Sequence, residues 1–252
     1  MKIALITGAT AGIVKATAKI FASYDYQIII TGRRKERLEE YAQQLRELYN
    51  VKVLTLCFDI RNLLEVEKAV NSLNEEWKKI NVLVNNAGLA VGLNPIQDGN
   101  INDWERMIDT NVKGLLYITR IIAPVMIKNG FGHIINIGSI AGKETYANGN
   151  VYCATKHAVD ALSKSMRIDL LPYGLKVTSI TPGMVESEFS IVRYKGDEER
   201  AKKVYAGIQP LLPEDIADTI YYAASRPTHV NINEIIITPL AQANATTTIR
   251  KI

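Results

Sequence analysis

The chain has 252 residues, of which 47% are hydrophobic and 22% charged, and its formal net charge is +4. A length of about 250 residues is within reach of one α/β domain with a full hydrophobic core. The basic residues mostly alternate with acidic ones, which is typical of solvated helix faces rather than of a nucleic-acid-binding patch. We therefore predict a single domain over residues 1–252 and no nucleic-acid partner.

The N-terminal segment superficially resembles a signal peptide, but Gly8 and Gly12 interrupt its apolar stretch and lysines follow. A buried first strand explains it better. No segment approaches about 18 consecutive apolar residues, so no membrane span is predicted. Cys57 and Cys153 lack C-x-x-C spacing and the three histidines are dispersed, so neither a disulfide framework nor a metal site is predicted. The cytoplasm is the predicted compartment.

Short apolar runs alternate with longer helical patterns along the whole chain. The runs predict strands at Lys2–Thr7, Gln27–Thr31, Lys52–Phe58, Val82–Asn85, His133–Ile137, Lys176–Thr181 and Glu234–Thr238. The longer patterns predict helices at Ile13–Ser23, Lys35–Tyr49, Leu64–Trp77, Asn111–Lys128, Tyr152–Leu171 and Pro213–Ser225. Continuous apolar strands are typical of a sheet covered on both faces. The pattern therefore predicts an α/β fold, a doubly wound parallel seven-stranded sheet of Rossmann type with helices on both faces.

The first predicted strand ends in a glycine-rich turn, TGATAGI, and a helix follows. Such a turn lets the backbone approach a pyrophosphate closely, and the helix N-terminus supplies free N–H groups with a partial positive charge. A tight turn with two glycines also has purely structural uses. We predict that the cofactor-binding residues of this turn are Gly8, Thr10, Ala11, Gly12 and Ile13.

The second strand ends in Gly32, Arg33 and Arg34, roughly where an NAD enzyme places the acid that holds the ribose 2′-hydroxyl. Gly32 offers no side chain there, whereas the two arginines offer guanidinium groups for a 2′-phosphate. An acidic residue at this point would repel that phosphate. We therefore predict NADP(H) rather than NAD as the cofactor, with both arginines starting a helix in solvent as the alternative.

Two further strand ends fall at the same edge of the predicted sheet. Ligands of such sheets bind at the carboxyl ends of the strands. The cofactor site is therefore predicted to include Asp59 and Ile60 after the third strand, and Asn86, Ala87 and Gly88 after the fourth.

Tyr152 and Lys156 lie four residues apart, which places them on one face of a helix. An ammonium beside a phenol favours the phenolate, so Lys156 is predicted to lower the pKa of Tyr152 toward working pH. Tyr152 would then act as the acid in carbonyl reduction or the base in alcohol oxidation, and Ser139 would hydrogen-bond the reacting oxygen. Tyrosine and lysine occur at this spacing by chance on many helices, so the pair indicates a catalytic site only together with the other motifs.

The motifs in their order resemble the short-chain dehydrogenase/reductase family over essentially the whole chain. They are the glycine turn, NNAG, NVKG, Ser139, Tyr152-x-x-x-Lys156 and Pro182-Gly183. The resemblance implies a catalytic tetrad of Asn111, Ser139, Tyr152 and Lys156.

Further roles follow from the same resemblance. Asn111 would support a water-mediated proton relay, and Lys156 beside Tyr152 would hold the nicotinamide ribose. Pro182, Gly183 and Val185 would flank the nicotinamide. The family usually has a third glycine where this chain has Val14, a departure that bears on cofactor binding.

Several segments resemble the NADP-dependent serine and 3-hydroxy acid dehydrogenase branch, among them ITGRRKERL, LVNNAGLAVG, EFSIVRYKGD and HVNIN. This resemblance implies oxidation of the 3-hydroxyl of L-serine, L-allo-threonine or small 3-hydroxy acids, and a homotetramer. The polar segment at about 186–212 is interpreted as a substrate lid, or alternatively as an ordinary helical excursion. Within it, Arg193 is our hypothesis for a substrate-binding residue that holds the carboxylate, beside Ser139 and Tyr152; a structural role is the alternative.

Two other functions stay open at this point. The same chemistry could act on another substrate, such as a 3-oxoacyl thioester, a sugar or a ketone. A non-catalytic NADP-binding sensor or scaffold is the other alternative, and Val14 is the feature that favours it.

Overall fold

A computed structural model of the chain describes residues 2–8 and 12–251. The strands are β1 Ile3–Ile6, β2 Gln27–Gly32, β3 Val53–Cys57, β4 Ile80–Asn85, β5 His133–Ile137, β6 Lys176–Pro182 and β7 Glu234–Ile237. The helices in these residues are α1 Ile13–Ser23, α2 Lys35–Tyr49, α3 Leu63–Asn71, α4 Ile101–Ile108, α5 Leu115–Asn129, α6 Asn150–Leu170, α7 Phe189–Arg193, α8 Glu198–Lys203 and α9 Pro213–Ala224. All seven strands are parallel, in the order β3-β2-β1-β4-β5-β6-β7. The predicted doubly wound seven-stranded sheet is confirmed.

The continuous apolar runs of the central strands supply both faces of the sheet. Along β1, Ala4 and Ile6 belong to one core cluster, and Ile3 and Leu5 belong to the other. Helices α1, α2 and α9 cover the first face, and helices α3, α5 and α6 cover the second. Because successive strand residues point to opposite faces, a strand buried on both sides must be apolar throughout.

Edge strands depart from this pattern. β7 has no fully buried residue, and Ile236 on it is exposed. β3, at the opposite edge, ends in the exposed Cys57. An edge strand has a neighbouring strand on one side only, so its other side stays open to solvent.

Two predicted helices have different bounds in the structure. The helix predicted over 64–77 ends at Asn71, and a turn follows in which the Asn74 side chain accepts a hydrogen bond from the Trp77 amide at 3.0 Å. This local bond competes with continuation of the helix. The helix predicted from Asn111 continues upstream through a π-helical turn at 109–114 into α4, whose N-cap is Asn100. Within the described residues, no helix combines the length and apolarity needed to cross a lipid bilayer.

His133 at the start of β5 is buried, and its Nε2 lies 2.7 Å from the Thr178 hydroxyl. That hydroxyl donates to the Ile232 carbonyl, so Nε2 must donate and Nδ1 must be the unprotonated nitrogen. Nδ1 has no hydrogen-bond partner in the described structure. Burial lowers the pKa of His133 from 6.5 to about 3.

We expect this buried imidazole to make the protein acid-sensitive. Between pH 6.5 and 3, His133 is protonated in the unfolded state but neutral in the folded state. As the pH is lowered through this range, the contribution of His133 should therefore reduce the free energy of unfolding by about 1.4 kcal/mol per pH unit. Above pH 6.5 His133 is neutral in both the folded and the unfolded state, so this loss of stability is absent there. Urea denaturation between pH 7 and 5 measures the slope. In His133→Leu the slope should be smaller by that amount, and equal slopes would contradict the assignment.

Candidate active site

A cleft of about 490 Å³ lies along the carboxyl ends of the strands. Its position is the one expected for ligands of doubly wound sheets. The following predicted site residues line it: Gly8, Gly12, Ile13, Arg33, Arg34, Asp59, Ile60, Asn86, Ala87, Gly88, Ser139, Tyr152, Lys156, Pro182, Gly183 and Val185. Thr10 and Ala11 lie outside the described residues. The structure therefore brings together residues from six strand ends that the sequence predicted separately.

The glycine turn presents its backbone to the cleft. Gly8 has φ +81°, and a Cβ there would lie 3.0 Å from the Ala87 Cα. Gly12 has φ +56° and provides no side-chain cap for α1, whose first turn also lacks an acidic residue. The helix N–H groups and dipole are thus left for an anion. The Thr7 hydroxyl accepts from the Asn86 and Ala87 amides, both at 3.1 Å, and so fixes the neighbouring wall.

Val14, which stands where the family usually has glycine, is turned away from this turn's ligand side. Its side chain is 1% exposed and packs in the core cluster beneath α1, α2 and α9. Core packing therefore accommodates valine in place of glycine at this position. Val14, the feature that favoured a non-catalytic protein, thus has a structural explanation.

Arginines gather at the end of the cleft formed by β2 and β3. Arg61 binds the Asp59 carboxylate with Nη2 at 2.6 Å, and Nη1 of Arg33 lies 3.9 Å from the same carboxylate. The hydrogen bond from Arg61 lowers the pKa of Asp59, which is therefore anionic. Partial burial lowers the pKa of Arg34, and Glu188 across the cleft counteracts this effect. The chemistry of this end suits a phosphorylated ribose.

Asn111 lies behind the cleft wall, in the π-helical turn that separates α4 from α5. Its Nδ2 donates to the Leu89 carbonyl at 2.8 Å and to the Thr155 hydroxyl at 3.0 Å, and its Oδ1 accepts from the Leu89 amide at 2.8 Å. A π-helical turn shifts the register of a helix and is frequent at functional sites. Here it lets one carboxamide join the NNAG strand end to helix α6.

Ser139 and Tyr152 both line the cleft, and the Ser139 side chain acts on Tyr152 in the direction that lowers the pKa of its phenol. Ser139 follows β5, and its Oγ also accepts from the Ala141 amide at 3.1 Å, which fixes the hydroxyl in place. Tyr152 lies in the first turn of α6 and is 8% exposed. The Ser139 and Tyr152 side chains thus adjoin each other in the cleft wall.

Lys156 lies one turn further along α6, and its Nζ donates to the Ile137 carbonyl at 2.8 Å. Burial lowers the pKa of Lys156 to about 8, so the amine is mostly charged at neutral pH. A Cβ added to Gly88 would lie 3.6 Å from this Nζ and 3.3 Å from Asn111 Oδ1. Gly88 therefore leaves room beside both of these polar atoms.

The expected lowering of the pKa of Tyr152 by Lys156 is not found in this structure. Burial raises that pKa above its ordinary value, and the opposing effects come from the Ser139 hydrogen bond and from Arg193. The four-residue spacing puts Lys156 one helical turn from Tyr152, but it does not indicate that the phenol is buried. Tyr152 is consequently a neutral phenol in the unliganded protein.

The segment predicted as a lid forms helices α7 and α8, and its first part, with Glu188, Phe189 and Val192, lines the cleft. Its two ends lie side by side: the Glu186 amide donates to the Leu211 carbonyl at 2.9 Å, and the Leu211 amide donates to the Met184 carbonyl at 3.0 Å. Phe189 packs its ring 5.7 Å from the Tyr152 ring. Lys195 binds Asp103 of α4 at 2.7 Å, which fixes the far side of the segment.

Arg193 lies beside Tyr152, although among the described residues it is not part of the cleft wall. Its guanidinium carbon is 5.5 Å from the Tyr152 ring centroid and 5.3 Å from the Tyr146 ring centroid. Nη2 donates to the Tyr146 hydroxyl at 2.7 Å. Nε is buried and has no partner in the described structure. A buried donor without a partner is costly unless a ligand satisfies it.

Among the residues of this region that sequence reasoning missed, four bear on its chemistry: Arg61, Arg106, Tyr146 and Phe189. Arg61 could have been found from its position two residues after Asp59. Tyr146, Phe189 and Arg106 contact or line the site through tertiary packing, and no spacing pattern marks them.

Comparison with known proteins places this fold and site in a family. The model of the short chain dehydrogenase family matches residues 2–198. The solved structure titled the closed form of serine dehydrogenase complexed with NADP+ is 44% identical, has a TM-score of 0.92, and 99% of each chain is covered. The chain belongs to the short chain dehydrogenase family and is an enzyme of the oxidoreductase class.

Two curated relatives cover nearly the whole length. The NADP-dependent 3-hydroxy acid dehydrogenase YdfG of Salmonella typhi is 48% identical over 244 residues, 96% of this chain and 97% of that protein. Sulfoacetaldehyde reductase 2 of Chromohalobacter salexigens is 42% identical over 242 residues, 96% of this chain and 95% of that protein.

Proposed function

We propose that this enzyme interconverts the 3-hydroxyl of a small 3-hydroxy acid, such as L-serine or L-allo-threonine, and the corresponding carbonyl, with NADP(H) as its cofactor. The observation that supports this most directly is that Ser139, Tyr152 and the buried Lys156 line one cleft, with Ser139 acting on the Tyr152 phenol. The named relatives, a 3-hydroxy acid dehydrogenase and a serine dehydrogenase, support the substrate class.

The cleft fits the cofactor from end to end. The glycine turn and the uncapped N-terminus of α1 would hold the pyrophosphate, Arg33 and Arg34 the 2′-phosphate, and Pro182, Gly183 and Val185 the nicotinamide side. NADP(H) supplies or accepts the hydride when bound.

Proton transfer falls to Tyr152 in this proposal. As a neutral phenol it donates its proton to the carbonyl oxygen during reduction, and Ser139 donates a hydrogen bond to the same oxygen. Donation leaves a phenolate that Ser139 and the nearby cations stabilise. In oxidation this phenolate accepts the hydroxyl proton and becomes the neutral phenol again. Lys156 would also hold the nicotinamide ribose.

Asn111 serves the proton path indirectly. Both Nδ2 hydrogens are already donated, to Leu89 and Thr155, which leaves acceptor capacity on Oδ1. Since Oδ1 and Lys156 Nζ face the same space at Gly88, a water there could join them in a proton relay.

The substrate anion is assigned to Arg193. The names of both curated relatives denote small substrates with an anionic group next to the reacting end, a carboxylate in one and a sulfonate in the other. The unpartnered Nε of Arg193 lies next to Tyr152, where such a group would be needed. Sulfoacetaldehyde is therefore the second candidate substrate, and it uses the same anion site.

We expect Arg193→Gln to raise KM for 3-hydroxypropionate by roughly 10- to 100-fold, the worth of a charge-assisted hydrogen bond. KM for 1,3-propanediol, which lacks the carboxylate, should change less than twofold. Steady-state kinetics with both substrates measures the difference. Arg200→Gln is the matched control, because Arg200 also lies over a tyrosine ring, but that ring belongs to Tyr194 rather than to Tyr152 at the reacting end. Equal effects of Arg193→Gln on both substrates would refute the assignment.

The function itself is tested by NADPH formation at 340 nm with L-serine, L-allo-threonine or 3-hydroxypropionate, and by NADPH consumption with sulfoacetaldehyde or a 3-oxoacyl thioester. Turnover of a free 3-hydroxy acid supports the proposal. Preference for the aldehyde or the thioester would instead select the corresponding alternative substrate. NADPH binding without any turnover would favour a non-catalytic role.

We further propose a homotetramer in the cytoplasm, with residues 1–252 as one domain. Exposed apolar side chains at the end of α6 and after it, Ile168 and Leu171, support contacts between subunits. Ile236 on the exposed edge strand β7 adds a second such surface. Sedimentation of the purified protein tests the assembly.

A further inference from the structure

Arg106 lines the cleft, although no sequence motif points to it. It lies on α4, one turn before Thr110, which lines the same cleft. The side chain is half-buried. In the part of the chain that the structure describes, the Arg106 side chain makes no hydrogen bond or ion pair, whereas its backbone carbonyl accepts from the Asp109 amide. A half-buried arginine without a protein partner in a cleft is available to a ligand.

The elements around Arg106 identify the end of the cleft to which it belongs. Ile60 packs against the π-helical turn, where a Cβ on Gly114 would lie 2.9 Å from the Ile60 Cγ2. Asp109 in the same turn acts electrostatically on Arg61, the partner of Asp59. The wall formed by α4 and the π-helical turn therefore runs beside the residues that follow β3.

This end of the cleft would receive the adenosine half of the cofactor. Tyr152 and Ser139 define the reacting end, and the glycine turn at the centre would hold the pyrophosphate. The adenosine must then extend toward the ends of β2 and β3. Arg33 and Arg34 approach from the β2 side, whereas Arg106 approaches from the α4 side.

We propose that Arg106 stacks its guanidinium on the adenine ring and so contributes to cofactor affinity independently of the 2′-phosphate. The proposal rests on NADP(H) being the cofactor. A guanidinium is planar and weakly hydrated, and it stacks on aromatic faces. Ile60 supplies an apolar surface at the same end of the cleft, which suits a flat, largely apolar base. Arg106 thereby contacts the adenine, while Arg33 and Arg34 contact the 2′-phosphate.

The test measures dissociation constants by titration for NADPH, NADH, ADP-ribose and nicotinamide mononucleotide. Arg106→Ala should weaken NADPH, NADH and ADP-ribose equally, by roughly tenfold, as loss of one base stack does. Nicotinamide mononucleotide, which lacks the adenine, should bind as before. Arg106→Lys keeps the charge but not the plane, and it should lose most of the same affinity. Arg120→Ala removes an exposed arginine of α5 outside the cleft, and it should change nothing.

Other results would overturn the proposal. Loss confined to NADPH would mean that Arg106 contacts the 2′-phosphate rather than the base. Full affinity in Arg106→Lys would mean that only its charge matters, and unchanged affinity in Arg106→Ala would mean that it does not touch the cofactor. Failure of the wild-type protein to bind NADPH would instead refute the proposed function. Thermal unfolding of each unliganded variant verifies that the fold is intact.

Discussion

Replacement of Tyr152 by phenylalanine should lower kcat by roughly 10³-fold or more while leaving the dissociation constant of NADPH within twofold. The variant loses only the hydroxyl that we propose donates or accepts the proton, and general acid–base catalysis is typically worth about 10²- to 10⁴-fold. The ring stays buried against Phe189, so the fold should be unaffected. Stopped-flow measurement of NADPH oxidation and fluorescence titration of NADPH give the two quantities.

Tyr146→Phe is the matched control for this result. Its hydroxyl accepts a hydrogen bond from Arg193 but is not part of the cleft wall described here. We expect kcat within a fewfold of wild type and a higher KM for acid substrates, because the guanidinium loses one fixed partner. Near-normal kcat in Tyr152→Phe would remove Tyr152 from the chemical step and require another acid.

The second large effect concerns the choice between NADP and NAD. Arg33→Ala combined with Arg34→Ala should weaken NADPH by about 100-fold, because two charge-assisted contacts to a phosphate are lost, each worth about 1.5–3 kcal/mol before partial solvent exposure is allowed for. NADH, which lacks the 2′-phosphate, should bind as before. Titrations with both nucleotides at fixed ionic strength measure the change.

Arg37→Ala provides the comparison for the arginine pair. It removes an exposed arginine of α2 that does not line the cleft, so it should change NADPH affinity by less than twofold at moderate salt. An equal loss for NADPH and NADH in the double variant would show that these arginines act on the shared part of the cofactor.

The sequence predicted the central sheet well because strands such as β1 and β5 are buried on both faces, where apolarity leaves little ambiguity. The strand ends followed from the same logic, since parallel strands present their carboxyl ends at one edge. The resemblance to the short-chain dehydrogenase/reductase family was confirmed by the family match. Helix bounds were predicted less well. The helix that was predicted to begin at Asn111 continues upstream into α4, which Asn100 caps, and a single polar residue is a weak indication of a helix start without the tertiary fold.

Three properties of the site depend on three-dimensional packing and were not predictable from the sequence. The π-helical turn that orients Asn111 lies between α4 and α5, and the helical pattern of the sequence runs through it, so no local signal marks the turn. The raised pKa of Tyr152 depends on how completely its surroundings enclose the phenol. The contact of Arg193 with Tyr146 joins residues 47 positions apart, so no local spacing could indicate it.

The paired ends of the lid make that segment a nearly closed excursion from the main fold. Because Glu186 and Leu211 are hydrogen-bonded neighbours, everything between them can lengthen, shorten or change its side chains without moving a strand. Ser139, Tyr152 and Lys156 are all supplied from outside this excursion, whereas Phe189 and Arg193 are supplied from within it. Under the proposed function, the proton-transfer groups and the substrate-recognition groups therefore lie on separate parts of the chain, so that exchange of this one segment would alter substrate preference while the reaction is kept.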